Sequence, residues 1–169
     1  HYPLRRQRQM CIRDRSCTTT KTYTINAKSD TQTQGTAKFT QTGKTVELDM
    51  NVYKLNPNGI HAAHIHEFGD CSASDGSSAG GHWNPTSHQH GKWDVGEHHA
   101  GDLGNLRADK NGTARLVMKT DKWCIGCADA TKNIVGKSII IHAKADDFKT
   151  QPTGCLLYTS PSPRDVEES

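Results

Sequence analysis

The sequence predicts an all-β domain. Three features indicate this fold class: apolar and polar residues alternate along several short segments, turn-forming residues separate those segments, and no segment shows the apolar spacing of an amphipathic helix. The chain has 169 residues, which is room for one hydrophobic core but hardly for two. A single β domain is therefore the expectation.

The predicted strands are short. They lie at 22–27, 36–40, 45–55, 103–108, 113–119 and 134–143. The first three alternate β-branched or aromatic residues with polar ones, as half-buried strands do. The next two are joined by the Asp-Lys-Asn-Gly turn at 109–112, and the last is an apolar run typical of a buried strand.

The two ends of the chain differ from its middle. Residues 5–14 and 155–165 look like translations of the transposon-end adapters used to fragment DNA for sequencing. Codons that can encode residues 10–14 give, as their reverse complement, in-frame codons for 156–159, which is unlikely by chance. We therefore interpret 1–15 and 155–169 as non-native, and predict a linker at 16–21 and the domain at 22–154.

Charge and hydropathy exclude some functions. The net charge is +3, from 21 basic and 18 acidic residues spread along the chain, so no nucleic-acid partner is expected. Without the two ends, which hold six of the basic and four of the acidic residues, it falls to +1. No apolar run approaches the roughly 18 residues that cross a bilayer.

The histidines point to a metal site. Eight of the ten lie between His61 and His99, most of them in a long segment rich in Gly, Ser, His and Asp. His64 and His66 are two residues apart at the end of a further apparent strand, so their side chains leave the same face. Further along, the spacing of His99 and Asp102 suits a tetrahedral zinc site, to which the loop adds more histidines. His142 ends the last predicted strand and can supply another imidazole.

These residues resemble a known family. The segments 64–66, 80–85, 88–91, 99–105 and 139–142 look like the metal loop and a later strand of copper/zinc superoxide dismutases, with the spacing of the bacterial branch. The resemblance runs from about 22 to 154. It implies a flattened Greek-key β-barrel, an immunoglobulin-like sandwich with long metal-binding loops. The family's final strand is expected to be missing, because the non-native segment follows residue 154.

The resemblance also implies cofactors and ligands. It makes the copper ligands His64, His66, His82 and His142, and the zinc ligands His82, His90, His99 and Asp102, with His82 bridging both metals. Asp146 matches a carboxylate that accepts N–H bonds from His64 and His90 and orients both. His61, His88 and His98 match no ligand, and we interpret them as surface or loop-packing residues. The implied activity is conversion of superoxide to dioxygen and hydrogen peroxide by a cycling copper ion, with a structural zinc ion.

The cysteines bear on location. Cys124 and Cys127 have the spacing of a zinc or redox motif, but a single pair without a thioredoxin-like pattern favours a local disulfide or two idle thiols. Cys71 matches the family's disulfide cysteine, which implies an oxidising compartment, the periplasm or cell envelope. Its usual partner and the family's anion-steering arginine are absent after residue 154, so impaired activity is expected. Ser16 and Cys17 resemble the start of a mature lipoprotein, so a lipid anchor on Cys17 is one alternative. A homodimer is a further alternative that the sequence does not decide.

Two other functions compete with the enzyme. One is a noncatalytic copper- and zinc-binding domain, such as a chaperone or store, and the other is a structural β-sandwich that binds zinc incidentally. A storage or transfer protein needs ligands that exchange. A bridging His82 would instead tie two sites together, which favours a cofactor retained through turnover.

Overall fold

Two antiparallel sheets built from eight strands make up the fold in a computed structural model of the chain, which describes residues 18–150 and 156–159. The strands are β1 Thr18–Ala27, β2 Gln34–Thr42, β3 Thr45–Tyr53, β4 Ile60–His66, β5 Asp102–Arg107, β6 Ala114–Thr120, β7 Ser138–His142 and β8 Leu156–Thr159. Helical structure in these residues is limited to a 3-10 turn at Ser77–Ala79. The predicted all-β fold class is confirmed.

Pairing follows the order β5-β4-β7-β8-β1-β2-β3-β6. Strands β1, β2, β3 and β6 form one sheet, and β5, β4, β7 and β8 form the other, which also pairs with the end of β1. The turn at 109–112 joins β5 to β6, although these strands pair with β4 and β3 in opposite sheets. This crossing is consistent with a Greek-key sandwich, and it packs the inward faces of both sheets against each other.

The alternating pattern in the sequence sets the inward faces. On β3, Val46, Leu48, Met50 and Val52 are fully buried, while the residues between them are partly or fully exposed. The last predicted strand is shorter than expected, because residues 134–137 form a turn in which the Lys137 N–H donates to the Ile134 carbonyl. Only Ser138–His142 remain as β7, and all five residues are buried.

Strand β8 corrects one expectation. Residues 156–159 belong to the segment interpreted as non-native, in which no strand was expected. They nevertheless pair with β7 from Ile140 to His142 and with β1 at Asn26 and Ala27. A ladder uses backbone N–H and C=O groups that every residue except proline carries, so a segment can complete a sheet whatever its origin. The other predictions for the ends, including those for Cys17, concern residues outside the described ranges.

The core lies between the two sheets and continues beneath the loops. Its tryptophans, Trp83 and Trp123, are 2% and 1% exposed and come from loops, not strands. Trp123 packs against Phe39 of β2 at a ring-centroid distance of 6.2 Å. The loop that carries His82 is thus anchored to the core by the neighbouring Trp83. Among the helices of the described residues, none has the length and apolar character needed to span a membrane.

Candidate metal centre

Two neighbouring strands bring three histidines together. His64 and His66 lie on β4 and His142 ends β7, with His64 opposite Ile140 in the ladder. All three are at most 2% exposed. The His64 and His142 ring centroids are 4.8 Å apart, and those of His66 and His142 are 5.7 Å apart. The expected same-face placement of His64 and His66 therefore puts both rings beside His142.

The loop after β4 adds His82. The Trp83 N–H donates to the Ile65 carbonyl at 2.8 Å, so the loop runs antiparallel to the end of β4 and pairs His82 with His66. Residues directly opposite in such a pair project from the same face. The His82 ring stacks on His64 at 3.9 Å between centroids. One possible ligand atom from each of four residues lies within 4.8 Å of the others, and these residues are His64, His66, His82 and His142.

A second group of possible ligands adjoins the first and shares His64 and His82 with it. Its ligand atoms also lie within 4.8 Å of one another, and its members are His64, His82, His90 and Asp102. His99, which the sequence placed in the zinc set, is not in this group. Its Nδ1 nevertheless lies 3.3 Å from His82 Nδ1 and 3.3 Å from Asp102 Oδ1. The structure thus brings all the sequence-predicted ligands into one continuous cluster.

His99 and Asp102 are the two ends of one tight turn. The Asp102 N–H donates to the His99 carbonyl at 3.2 Å, and the His99 N–H donates to Asp102 Oδ2 at 2.8 Å. Gly101 lets this turn press against β4, since a Cβ there would lie 2.2 Å from the Ile65 carbonyl oxygen. Any other residue would force the turn away from the strand that carries His64.

Asp146 joins the two groups. Its Oδ2 accepts from His64 Nε2 at 2.8 Å, and its Oδ1 accepts from His90 Nε2 at 2.7 Å. Asn105 fixes its backbone, accepting from the Asp146 N–H at 2.8 Å and donating to the Asp146 carbonyl at 3.0 Å. The sequence pattern did not indicate a role for Asn105. The only signal in the sequence was an amide side chain three residues after Asp102. Its partner, Asp146, is 41 residues away along the chain.

His61 also differs from expectation. It was interpreted as a surface or loop-packing residue, but it lies on β4 and is 1% exposed. Its Nδ1 donates to the carbonyl of His142 at 3.0 Å, across from the neighbouring strand. His88 is exposed, as expected, and His98 is half-buried.

The protonation of His64 and His66 favours a metal ion between their rings. Burial lowers the pKa of His64 to about 4 and that of His66 to about 3, so both rings are neutral near pH 7. His64 Nε2 donates to Asp146 and His66 Nδ1 donates to the Gly80 carbonyl. The opposite nitrogens, His64 Nδ1 and His66 Nε2, are therefore bare acceptors, and both are buried without a hydrogen-bond donor. Unsatisfied buried lone pairs are costly in a protein, and a metal ion would satisfy them.

The second group has the charge for a divalent ion. Burial would raise the pKa of Asp102, but the neighbouring rings of His82, His90 and His99 hold it well below its usual range. Burial would lower the pKa of His90, but Asp102 and Asp146 on either side raise it to about 9. His90 Nδ1 is 3.1 Å from Asp102 Oδ2 yet lacks hydrogen-bond geometry. One carboxylate, that of Asp102, beside the imidazoles of His82, His90 and His99 suits the nitrogen and oxygen ligation of zinc.

Comparison with known proteins agrees with this geometry. The profile of a family described as copper/zinc superoxide dismutase matches residues 33–157. The chain belongs to the copper/zinc superoxide dismutase family. Membership in this family implies superoxide dismutase activity, with superoxide as substrate and copper and zinc as cofactors, and the residues described above fit both ions.

Relatives come from several kinds of organism. The chain is 36% identical over 139 residues to a superoxide dismutase [Cu-Zn] of Paramecium bursaria Chlorella virus 1, covering 79% of this chain and 69% of the relative. It is 35% identical over 128 residues to one of Candida albicans, covering 72% and 77%. Among solved structures, a double mutant of a SOD-like protein from Bacillus subtilis superposes with a TM-score of 0.72 at 28% identity, covering 82% of this chain and 94% of that one. The bacterial branch remains a prediction.

Proposed function

We propose a specific ligand set for each metal of this superoxide dismutase. The copper ligands are His64, His66, His82 and His142, and the zinc ligands are His82, His90, His99 and Asp102. Two residues, His64 and His82, belong to both groups of possible ligands. The observation that carries the assignment is that His64 Nε2 already bonds to Asp146, so the residue that we assign to both metals is His82. Its Nδ1 lies 3.2 Å from Asp102 Oδ1, which leaves Nε2 for the copper group.

The metals and the chain contribute differently to the reaction. When bound, copper supplies a one-electron couple that takes an electron from one superoxide and returns it to the next, while zinc is a closed-shell ion that does not cycle. The chain holds its imidazoles by outer hydrogen bonds, His64 to Asp146 and His66 to the Gly80 carbonyl. These bonds fix which ring nitrogen is available, so the ligands need not reorganise between the two half-reactions.

His82 is also the residue that we assign to proton handling. Its side chain is 10% exposed, whereas those of His64 and His90 are fully buried. Two superoxide ions and two protons give one dioxygen and one hydrogen peroxide, so protons must reach the product at the open side of the site. His82 Nε2 is the atom at which we place the proton for the forming peroxide.

The assignment is tested by exchanging His82 and a matched histidine for alanine. His82→Ala should lower the occupancy of both copper and zinc, measured by elemental analysis after dialysis, and should change the copper absorption spectrum. His88→Ala is the control, because His88 is exposed and its backbone makes the hydrogen bonds to Asn84. Unchanged occupancy of both metals in His82→Ala would show that the bridging assignment is wrong.

We propose further that the protein serves an antioxidant role in the periplasm or cell envelope. The disulfide between Cys124 and Cys127 supports this compartment, because disulfides persist mainly in oxidising surroundings. The test is fractionation of the source cells, followed by thiol labelling. Recovery with periplasmic markers and an unlabelled Cys124–Cys127 pair is expected, and recovery in the cytoplasm with labelled thiols would contradict the proposal. A lipid on Cys17 and a homodimer remain predictions, for mass spectrometry and sedimentation to test.

A further inference from the structure

The turn from His99 to Asp102 has three carbonyl groups before its last residue, and all three accept hydrogen bonds. The His99 carbonyl accepts from the Asp102 N–H at 3.2 Å and from His98 Nδ1 at 2.9 Å. The Gly101 carbonyl accepts from the Ile65 N–H of β4 at 2.8 Å. The carbonyl between them, that of Ala100, accepts from the indole Nε1–H of Trp123 at 2.9 Å. Trp123 is therefore a side chain from a distant segment that fixes the middle of the turn.

The position of Trp123 is well determined. It follows β6 by three residues, is 1% exposed, and packs edge-on against Phe39 at 6.2 Å and against Trp93 at 5.3 Å between ring centroids. A large ring with two aromatic neighbours has little rotational freedom. Its N–H is thus a fixed donor directed from the core toward the Ala100 carbonyl.

A second connection reaches the same turn from the surface. Lys122 Nζ lies 2.7 Å from Asp94 Oδ1, 3.1 Å from His98 Nε2 and 5.0 Å from the centre of the Trp93 ring. His98 in turn donates to the His99 carbonyl. The Lys122 and Asp94 side chains are 47% and 67% exposed, and exposed ion pairs of this kind contribute little. The bond from Trp123, whose side chain is 1% exposed, is therefore the stronger of the two connections.

We infer that Trp123 is a positioning residue for the zinc-binding half of the site, acting through the Ala100 carbonyl on His99 and Asp102. The inference rests on the proposed zinc ligands. Trp123 does not touch the metal, so its contribution is to hold the two ends of the turn at the separation that zinc requires. Without the N–H, the Ala100 peptide could rotate, and the His99 and Asp102 side chains would move apart.

The test is Trp123→Phe in the full chain loaded with both metals. Phenylalanine keeps an aromatic ring between Phe39 and Trp93 but has no N–H to donate. We expect zinc release to a chelator to be about tenfold faster, at the lower end of the 10–100-fold typical of outer-shell partners, with copper retention unchanged. The visible spectrum of cobalt bound in the zinc site should also change, because that spectrum reports ligand geometry.

A core variant separates positioning from a general loss of stability. Leu48→Val removes one methylene from a fully buried β3 residue and makes none of the turn's hydrogen bonds. It should lower the melting temperature of the metal-free protein without accelerating zinc release. In the metal-free protein, amide exchange at Asp102, whose N–H closes the turn, should be faster in Trp123→Phe than in Leu48→Val.

Two results would overturn the inference. One is zinc release from Trp123→Phe at the wild-type rate, and the other is equal acceleration by Leu48→Val at the same loss of melting temperature. Lys122→Met, with Lys119→Met as its exposed control, should change release less than Trp123→Phe does, and a larger change would assign the role to Lys122 instead. These results concern only the role of Trp123. If the wild-type protein binds zinc, the proposed zinc ligands are not contradicted by either of them.

Discussion

Replacing Asp146 by asparagine would test the connection between the two halves of the site. The carboxylate accepts from His64 Nε2 at 2.8 Å and from His90 Nε2 at 2.7 Å. An amide has one oxygen, so it can accept from only one of these rings, and in either orientation it carries no charge. The backbone should stay in place, because the two hydrogen bonds from Asn105 involve only main-chain atoms of residue 146.

The size of the effect follows from the bonds that are lost. A hydrogen bond to a charged group contributes about 1.5–3 kcal/mol, and about 1.4 kcal/mol corresponds to a tenfold change in affinity. We therefore expect the affinity for metal to fall by about 10–100-fold, as is typical of outer-shell partners. Zinc should be lost more readily than copper, because His90 lies on a loop whereas His64 is also held by the ladder of β4.

The assay is competition with chelators of graded affinity, with copper and zinc measured separately. Asp147→Asn is a matched control, since it makes the same change one residue away, where the carboxylate is exposed and bonds within its own turn to Lys149 and Thr150. Equal zinc retention in Asp146→Asn and wild type would refute the reasoning. So would an equal loss in Asp147→Asn, because that result would reflect net charge instead of the contacts to the two rings.

Two further predictions concern stability. Leu48→Ala should lower the free energy of unfolding by about 2–5 kcal/mol, because it opens a cavity at a fully buried position. Val117→Ala, at a half-exposed position on β6, should change the free energy of unfolding by about 0.5 kcal/mol or less. Urea denaturation measures both variants, and equal losses would contradict the packing described. Replacing Cys124 and Cys127 by serine should cost about 2 kcal/mol, the chain-entropy value for a loop of about four residues, and an unchanged melting temperature would mean that the loop's own hydrogen bonds suffice.

The sequence was sufficient where local pattern decides structure. Alternation on β3 identified which residues face the core, since adjacent side chains of a strand point to opposite faces. The two-residue spacing of His64 and His66 placed both rings on one face for the same reason. The His-x-x-Asp spacing also fits the structure locally, because His99 and Asp102 belong to a single turn.

Other features depend on contacts between distant residues, and the sequence alone did not show them. The bond from Trp123 to Ala100 spans 23 residues, and the buried His61 bonds to the carbonyl of His142, 81 residues away. Neither residue type identifies such a partner. The strand at 156–159 was not expected for a different reason, because the origin of a segment says nothing about whether its backbone can pair.

Strand β8 offers the final test. It pairs with β7 at Ile140, Ile141 and His142, and His142 is a proposed copper ligand, so removing β8 should affect both the sheet and the copper site. Truncation after residue 155 would leave β7 with an unpaired edge. Loss of several backbone hydrogen bonds at about 0.5–1.5 kcal/mol each should lower the melting temperature by on the order of 10 °C. Copper retention should fall more than zinc retention, because among the proposed ligands β8 pairs only with His142. Truncation after residue 160 keeps the strand and serves as the control. If both truncated chains have the melting temperature and the copper retention of the full chain, then the pairing of β8 contributes nothing to the fold. In that case β7 holds His142 through β4 alone.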